Sequence, residues 1–120
     1  MAPYPTKPEI EQLCSHLATP NPAPFFDRVS PNVVWDVLGT HPAAGHFTDL
    51  ESWKQSALGT INKCLAKPLQ LKVRNVCGGG EQEWACVELM ADSVAKNGMD
   101  YRQRYSWVMR FDDQGTIVEV

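Results

Sequence analysis

The stretch Asp100–Phe111 constrains this chain more than any other. Taken two residues at a time, one set of side chains is Tyr101, Gln103, Tyr105, Trp107, Met109 and Phe111. The other is Asp100, Arg102, Arg104, Ser106, Val108 and Arg110. An extended strand sorts them this way, because successive strand side chains point to opposite faces. The aromatic face then needs a covering layer, and the charged face needs solvent or another chain. The preceding run, Gln82–Asp92, divides into Ala85, Val87, Leu89 and Ala91 against Trp84, Cys86, Glu88 and Met90. With the first set inward, Glu88 falls on the charged face, where it is expected to pair with Arg102 or Arg104. Asn97-Gly98 between the two runs is a hairpin turn.

The covering layer comes from the first half of the chain. Residues 1–9, with Pro3, Pro5 and Pro8, read as a frayed arm before a domain over residues 10–120. Thr6 and Glu9 have capping-box spacing, and Pro8 suits a first helical turn. Ile10, Leu13, Cys14 and Leu17 then share one helical face. Phe25–Val29 is a short second helical piece, expected to stop at Ser30-Pro31. Val33–Leu38 is a β-rich run, followed by a loop over 40–45. Thr48 and Glu51 repeat the capping-box spacing and open a third helix, whose stripe is Leu50, Trp53, Ala57, Ile61 and Cys64/Leu65. From Leu69 the pattern is strand, turn at Gly78-Gly79-Gly80, strand, turn, strand, turn at Asp112–Gly115, and a last strand Thr116–Val120. The expected fold is α+β: a curved antiparallel sheet wrapped around N-terminal helices, forming a cone with an inner pocket.

Composition narrows the function classes. A chain of 120 residues with net charge −3 offers no basic face for phosphate neutralisation, which argues against nucleic acid as a partner. No apolar run approaches the ~20 residues of a membrane span. Met1-Ala-Pro-Tyr-Pro lacks a basic region followed by an apolar stretch, so the expectation is a cytoplasmic chain. Cys14, Cys64, Cys77 and Cys86 match no zinc or redox spacing and are expected to be buried or half-buried thiols. No metal site is expected from three histidines without acidic partners at ligand spacing, and no cofactor is called for.

An inner face of Tyr, Trp and Gln is more polar than a plain core needs, since buried phenols and indoles must satisfy their O–H and N–H groups. A pocket for a small apolar molecule with polar substituents explains it, as does a packed core with internally paired phenols. Small Ala85 and Ala91 beneath bulky aromatics leave room for a ligand.

Two segments carry a family resemblance. In Val34-Trp35-Asp36-Val37-Leu38-Gly39-Thr40-His41-Pro42-Ala43-Ala44-Gly45, Asp36 is followed by Gly, Pro and Gly at offsets of three, six and nine. This resembles the ketosteroid isomerase stretch that holds the general base. Trp107-Val108-Met109-Arg110-Phe111-Asp112, with Gly115 and Ile117, resembles the strand–turn–strand that carries the family's oxyanion-stabilising Asp, and Trp107 stands at that position. The chain is thus similar to the nuclear-transport-factor-like superfamily of cystatin-like cones, which includes ketosteroid isomerases and SnoaL-type polyketide cyclases. The wording around Trp35, His41-Pro42, Gly45 and Tyr105-Ser-Trp107 looks closest to fungal SnoaL-like proteins of secondary metabolism. The usual acidic donor is replaced by an indole. The first helix has no Tyr and offers only Cys14 and His16. Both departures point away from steroid isomerisation.

The resemblance implies a cofactor-independent isomerase or cyclase acting on a polyketide- or terpenoid-like molecule. A carboxylate inside an apolar cone holds its proton more tightly and so suits a general base, the role of Asp36. Tyr105 and Trp107 would stabilise the enolate oxygen, and His41 would serve as a further acid or base at the mouth. Trp35, Tyr101, Gln103, Met109, His46 and Val87 would line the substrate. Two alternatives stay open: Asp36 as a strand-end carboxylate capping the next loop, and the whole cone as a non-catalytic module for a small molecule or protein. The outward arginines count against an epoxide-hydrolase relay. The resemblance also implies a homodimer through the outer sheet face, with Glu88, Arg102 and Arg104 at the contact. It implies further a last strand that is cut short at Val120.

Overall fold

The computed structural model describes residues 3–120; Met1 and Ala2 of the expected arm lie outside the described residues. Tyr4 and Pro5 of the arm are tied to the Gly78-Gly79-Gly80 turn. Tyr4 N–H donates to the Gly80 carbonyl at 3.0 Å, and Gly80 N–H donates to the Pro5 carbonyl at 2.7 Å. Gly79, between them in space, has φ +77°, and a Cβ there would meet the Pro5 oxygen at 2.6 Å. The triple glycine is therefore a seat for the arm as well as a turn.

Helix α1, Lys7–Cys14, starts as the sequence implies. The Glu9 carboxylate accepts from the Thr6 N–H at 3.1 Å and from its hydroxyl at 2.8 Å. Ile10, Leu13 and Cys14 are buried, and a 3₁₀ turn over Ser15–Ala18 continues the face to Leu17. Helix α2, Ala23–Phe26, buries both phenylalanines.

Strand β1, Val29–Val37, begins earlier than expected and runs through Pro31. Its register shifts between Val29 and Val34. Proline has no N–H for a ladder, so a bulge is where a sheet tolerates it. The loop expected over 40–45 ends in a further strand, β2, Gly45–Phe47, which pairs antiparallel with β1.

The third helix is three segments end to end: α3, Leu50–Trp53; a wider π-type turn, Lys54–Leu58; and α4, Gly59–Cys64. Its cap is Asp49, whose carboxylate accepts from Ser52 N–H at 2.7 Å and from the Ser52 hydroxyl at 3.0 Å. The Thr48–Glu51 box is thus corrected. An Asp in extended conformation one residue on satisfies the orphan N–H, and Glu51 instead accepts from Gln55 at 3.0 Å. The stripe buries Trp53, Ala57 and Leu65, while Cys64 is exposed.

Strands β3 (Lys72–Gly78), β4 (Trp84–Val94), β5 (Asp100–Phe111) and β6 (Ile117–Glu119) complete one sheet in the order β2-β1-β6-β5-β4-β3. The antiparallel meander is corrected in one respect. β6 pairs antiparallel with β5 but parallel with β1, so the sheet is mixed. The turn before β6 is fixed by Asp112 Oδ1, which accepts from the Gln114 and Thr116 N–H groups, both at 2.9 Å. The Arg28 guanidinium ties this turn to the start of β1 through two bonds to the Gly115 carbonyl, at 3.1 and 2.7 Å.

Candidate functional site

The helices and the inner sheet face enclose an aromatic cluster. Ala85, Val87, Leu89 and Ala91 of β4 are all buried, so the inward parity read from the sequence holds. Above them Trp35 and Trp53 stack with centroids 3.7 Å apart and planes 17° from parallel. Trp107 meets both edge-on, at 5.1 and 6.2 Å. Phe25 and Phe26 close the cluster from α2, the first 6.0 Å from Trp107 and the second 5.8 Å from Trp53. Beside these rings lies an apolar cavity of about 90 Å³ between Leu17, Phe26, Trp35, Trp53, Tyr105 and Trp107.

A second opening of about 470 Å³ lies beside Val120, between β1 and β5. Trp35, Tyr105 and Trp107 line it as well, so the two spaces share a wall. It is bordered by residues of both sheet faces: those three from the inner face, and Asp36, Arg104 and Ser106 from the outer. β6, which separates β1 from β5, ends at Glu119, and at that end side chains of opposite parity border one opening.

Asp36 is the main correction. Trp35 is 2% exposed and points inward. Asp36, next to it on the strand, must point outward, and its side chain is 44% exposed rather than enclosed in an apolar cone. It borders the opening. Its Oδ1 is held by Nδ1 of His46, directly opposite in the β1–β2 register. His46 is therefore a partner of Asp36 on the outer face, not a cavity residue. His41, exposed, borders the opening, with Nε2 3.2 Å from the Leu38 carbonyl.

On β5, Tyr105 and Trp107 sit where expected, half-buried. Tyr101 lies outside both linings and places its hydroxyl 2.6 Å from that of Tyr105. Gln103 is exposed, because the β4–β5 hairpin outruns the helical layer at that end, where Met99 is 67% and Val94 45% exposed. Met109 and Val87 are fully buried, in the core rather than in the cavity wall. His16 lies in a surface groove beside α1 with Glu9 and Arg28. Cys14 is enclosed, and burial pushes its thiol up to about 12. Neither supplies a second donor.

Glu88 faces Ser106, not an arginine; Arg102 pairs instead with Asp92 at 3.4 Å and Asp100 at 3.7 Å. Cys77, like Cys64, is exposed, against the expectation of burial. Among the described residues no cluster of three or more His, Cys, Asp or Glu is placed to hold a metal ion.

Sequence reasoning missed how many helical residues reach the cavity. Trp53, expected in the core, both packs and lines it, with Ala57, Leu58 and Ile61. The spacing of Trp53, Ala57 and Ile61 carried that signal. Arg104, Ser106 and Val108 on the outer border depended on the sheet's opening and had none.

Burial holds the Tyr105 phenol well above its ordinary value near 10, and the Tyr101 hydroxyl raises it further. It therefore remains a hydrogen-bond donor throughout the neutral range. Where Tyr101 donates to the Tyr105 oxygen, the Tyr105 proton is free to point into the cavity. A phenol whose folded-state pKa is raised stabilises the fold fully below the unfolded value. That stability is lost as pH climbs from about 10 toward the folded value. Thermal unfolding between pH 9 and 12 should thus show a steeper loss in the wild type than in Tyr105→Phe. Parallel curves would contradict the enclosed phenol.

No family model matches the chain. It is 28% identical over 118 residues to the dimerizing cyclase phiC of a fungal species, a match covering 98% of this chain and 52% of that protein. It is 27% identical over 96 residues to the dimerizing cyclase tstC of Talaromyces stipitatus, covering 79% of this chain and 43% of that one. The chain thus spans about half the length of the curated relatives it matches. Among solved structures, an NTF2-like protein from Burkholderia thailandensis superposes with a TM-score of 0.71 at 17% identity, over 99% of this chain and 87% of that one. A protein with a ketosteroid isomerase-like fold from Catenulispora acidiphila, in complex with trimethylamine, gives 0.68 at 12%, over 95% and 83%. The fold is therefore the NTF2-like α+β cone that the sequence resemblance implies. No helix among the described residues is long and apolar enough to cross a membrane.

Proposed function

We propose that this chain is a cofactor-independent isomerase- or cyclase-type catalyst that removes a proton from a carbon next to a carbonyl. Its substrate is a polyketide- or terpenoid-like small molecule. The observation that carries the reading is the shared wall: Tyr105 and Trp107 line both the apolar cavity and the opening bordered by Asp36 and His41. The apolar body of a substrate would rest on the indoles. Its carbonyl oxygen would accept from the Tyr105 hydroxyl and the Trp107 N–H, which stabilise charge as an enolate forms. Asp36 would take the proton through Oδ2, since Oδ1 is engaged by His46. His46, 62% exposed, would pass that proton to solvent. The enolate carbon would then be reprotonated by the same chain or by His41, or would attack a second carbonyl and close a ring. The relatives named dimerizing cyclases support the cyclase branch.

Proton abstraction from a nitrobenzisoxazole tests this. The molecule is a flat aromatic carbon acid whose ring opens when a positioned base removes its C–H proton. Opening faster than with free carboxylate at equal pH, and lost in Asp36→Asn, supports the reading. The same rate with and without the protein contradicts it. The small inner cavity favours a second reading, in which the same cone binds a molecule without transforming it. In that case the probe binds but does not open.

The outer face carries exposed Trp84 and Val108 among polar side chains. These support pairing of two copies through that face, which also carries Arg102 and Arg104 farther along β5. Light scattering at micromolar protein should give twice the chain mass, and a monomer mass would contradict it.

A further inference from the structure

Cys77 and Cys86 are directly opposite each other on β3 and β4. Val76 and Val87, one residue inward on each strand, are 2% and 0% exposed, so both thiols project from the outer face. Directly opposed residues in an antiparallel pair have Cα atoms about 4.5–5.5 Å apart, inside the 4.4–6.8 Å range that disulfides span. Cys77 is exposed and Cys86 half-buried. Each thiol has a polar neighbour: Asn75 Nδ2 lies 3.5 Å from Cys77 Sγ, and Ser106 Oγ lies 3.3 Å from Cys86 Sγ. Cys64 is exposed but lies at the end of α4, on a different element, and Cys14 is enclosed.

We infer that Cys77 and Cys86 form a dithiol site that a small-molecule disulfide such as oxidised glutathione converts to an intramolecular disulfide. The exposed Cys77 thiolate attacks one glutathione sulfur, forming a mixed disulfide and releasing one glutathione thiolate. The Cys86 thiolate then attacks the Cys77 sulfur, forming the cross-strand bond and releasing the second. Two electrons pass from the two cysteines to the reagent, which becomes two glutathione thiols carrying the two protons. The hairpin already holds the ends together, so closure demands little ordering. The Cys86 sulfur gives up its contact with Ser106, which borders the opening beside β1.

The four cysteines should therefore respond in three ways when the reduced full chain is incubated with oxidised glutathione and analysed by mass spectrometry after alkylation. Cys77 and Cys86 appear in one cross-linked peptide pair, without glutathione and reversible by dithiothreitol. Cys64 carries a single glutathionyl group. Cys14 is unmodified. In Cys86→Ser the reaction stops one step earlier, and Cys77 keeps its glutathionyl group. Separate glutathionyl groups on Cys77 and Cys86 in the wild type would overturn the inference. So would a disulfide joining two copies, or two thiols that remain free while Cys64 reacts.

Discussion

Asp36→Asn lowers the rate of nitrobenzisoxazole ring opening by about 10²–10⁴-fold, the range set by loss of a positioned general base. The substitution keeps the shape of the side chain and a hydrogen bond toward His46, so the fold and the aromatic wall are unchanged. A control separates base from relay. His46→Gln removes the imidazole that engages Oδ1 but leaves the carboxylate, so it retains more activity than Asp36→Asn. Equal losses in the two variants would show that the imidazole is the base and that Asp36 orients it.

Trp35→Ala produces the largest loss of stability, about 3–5 kcal/mol for removing a buried indole. The stacked contact with Trp53 at 3.7 Å and the edge contact with Trp107 are lost with it. A domain of this kind has about 5–15 kcal/mol in total, so the variant is close to unfolding at room temperature. Urea denaturation checks this by its midpoint. Trp84→Ala is the comparison: that ring is 39% exposed and faces the Arg110 guanidinium at 5.9 Å, a contact of about 1 kcal/mol or less. Similar midpoints for the two variants would mean that the Trp35–Trp53–Trp107 cluster is not the centre of the core.

How much of this was legible in the sequence depends on the range of the interaction concerned. β5 runs from Asp100 to Phe111 as its alternation demands, and the inner set of β4 is buried residue for residue. The Thr6–Glu9 cap also formed, because both partners lie within one turn. β2 was invisible: three residues, Gly45–Phe47, have no periodicity to display, and only pairing with β1 makes them a strand. The parallel pairing of β6 with β1 depends on Arg28 reaching the Gly115 carbonyl, a contact spanning most of the chain. The site shows a different kind of failure. Trp35 and Asp36 were both assigned to the inner wall, yet adjacent residues of a strand cannot face the same side. Applying to β1 the alternation rule that sorted β5 would have placed Asp36 outside. That an outer residue still borders the cavity's opening is a property of the assembled sheet, which no local pattern encodes.

The most direct test is a crystal structure of the Asp36→Asn variant, which leaves the ring closed, soaked with the nitrobenzisoxazole. The ring system should lie beside Val120, between β1 and β5, against Trp35 and Trp107, with its reactive C–H turned to the side chain at position 36 and a ring heteroatom within hydrogen-bond distance of the Tyr105 hydroxyl. Density for the probe only on the outer face or in the groove beside α1, with the Trp35–Trp107 wall bare, would contradict the account.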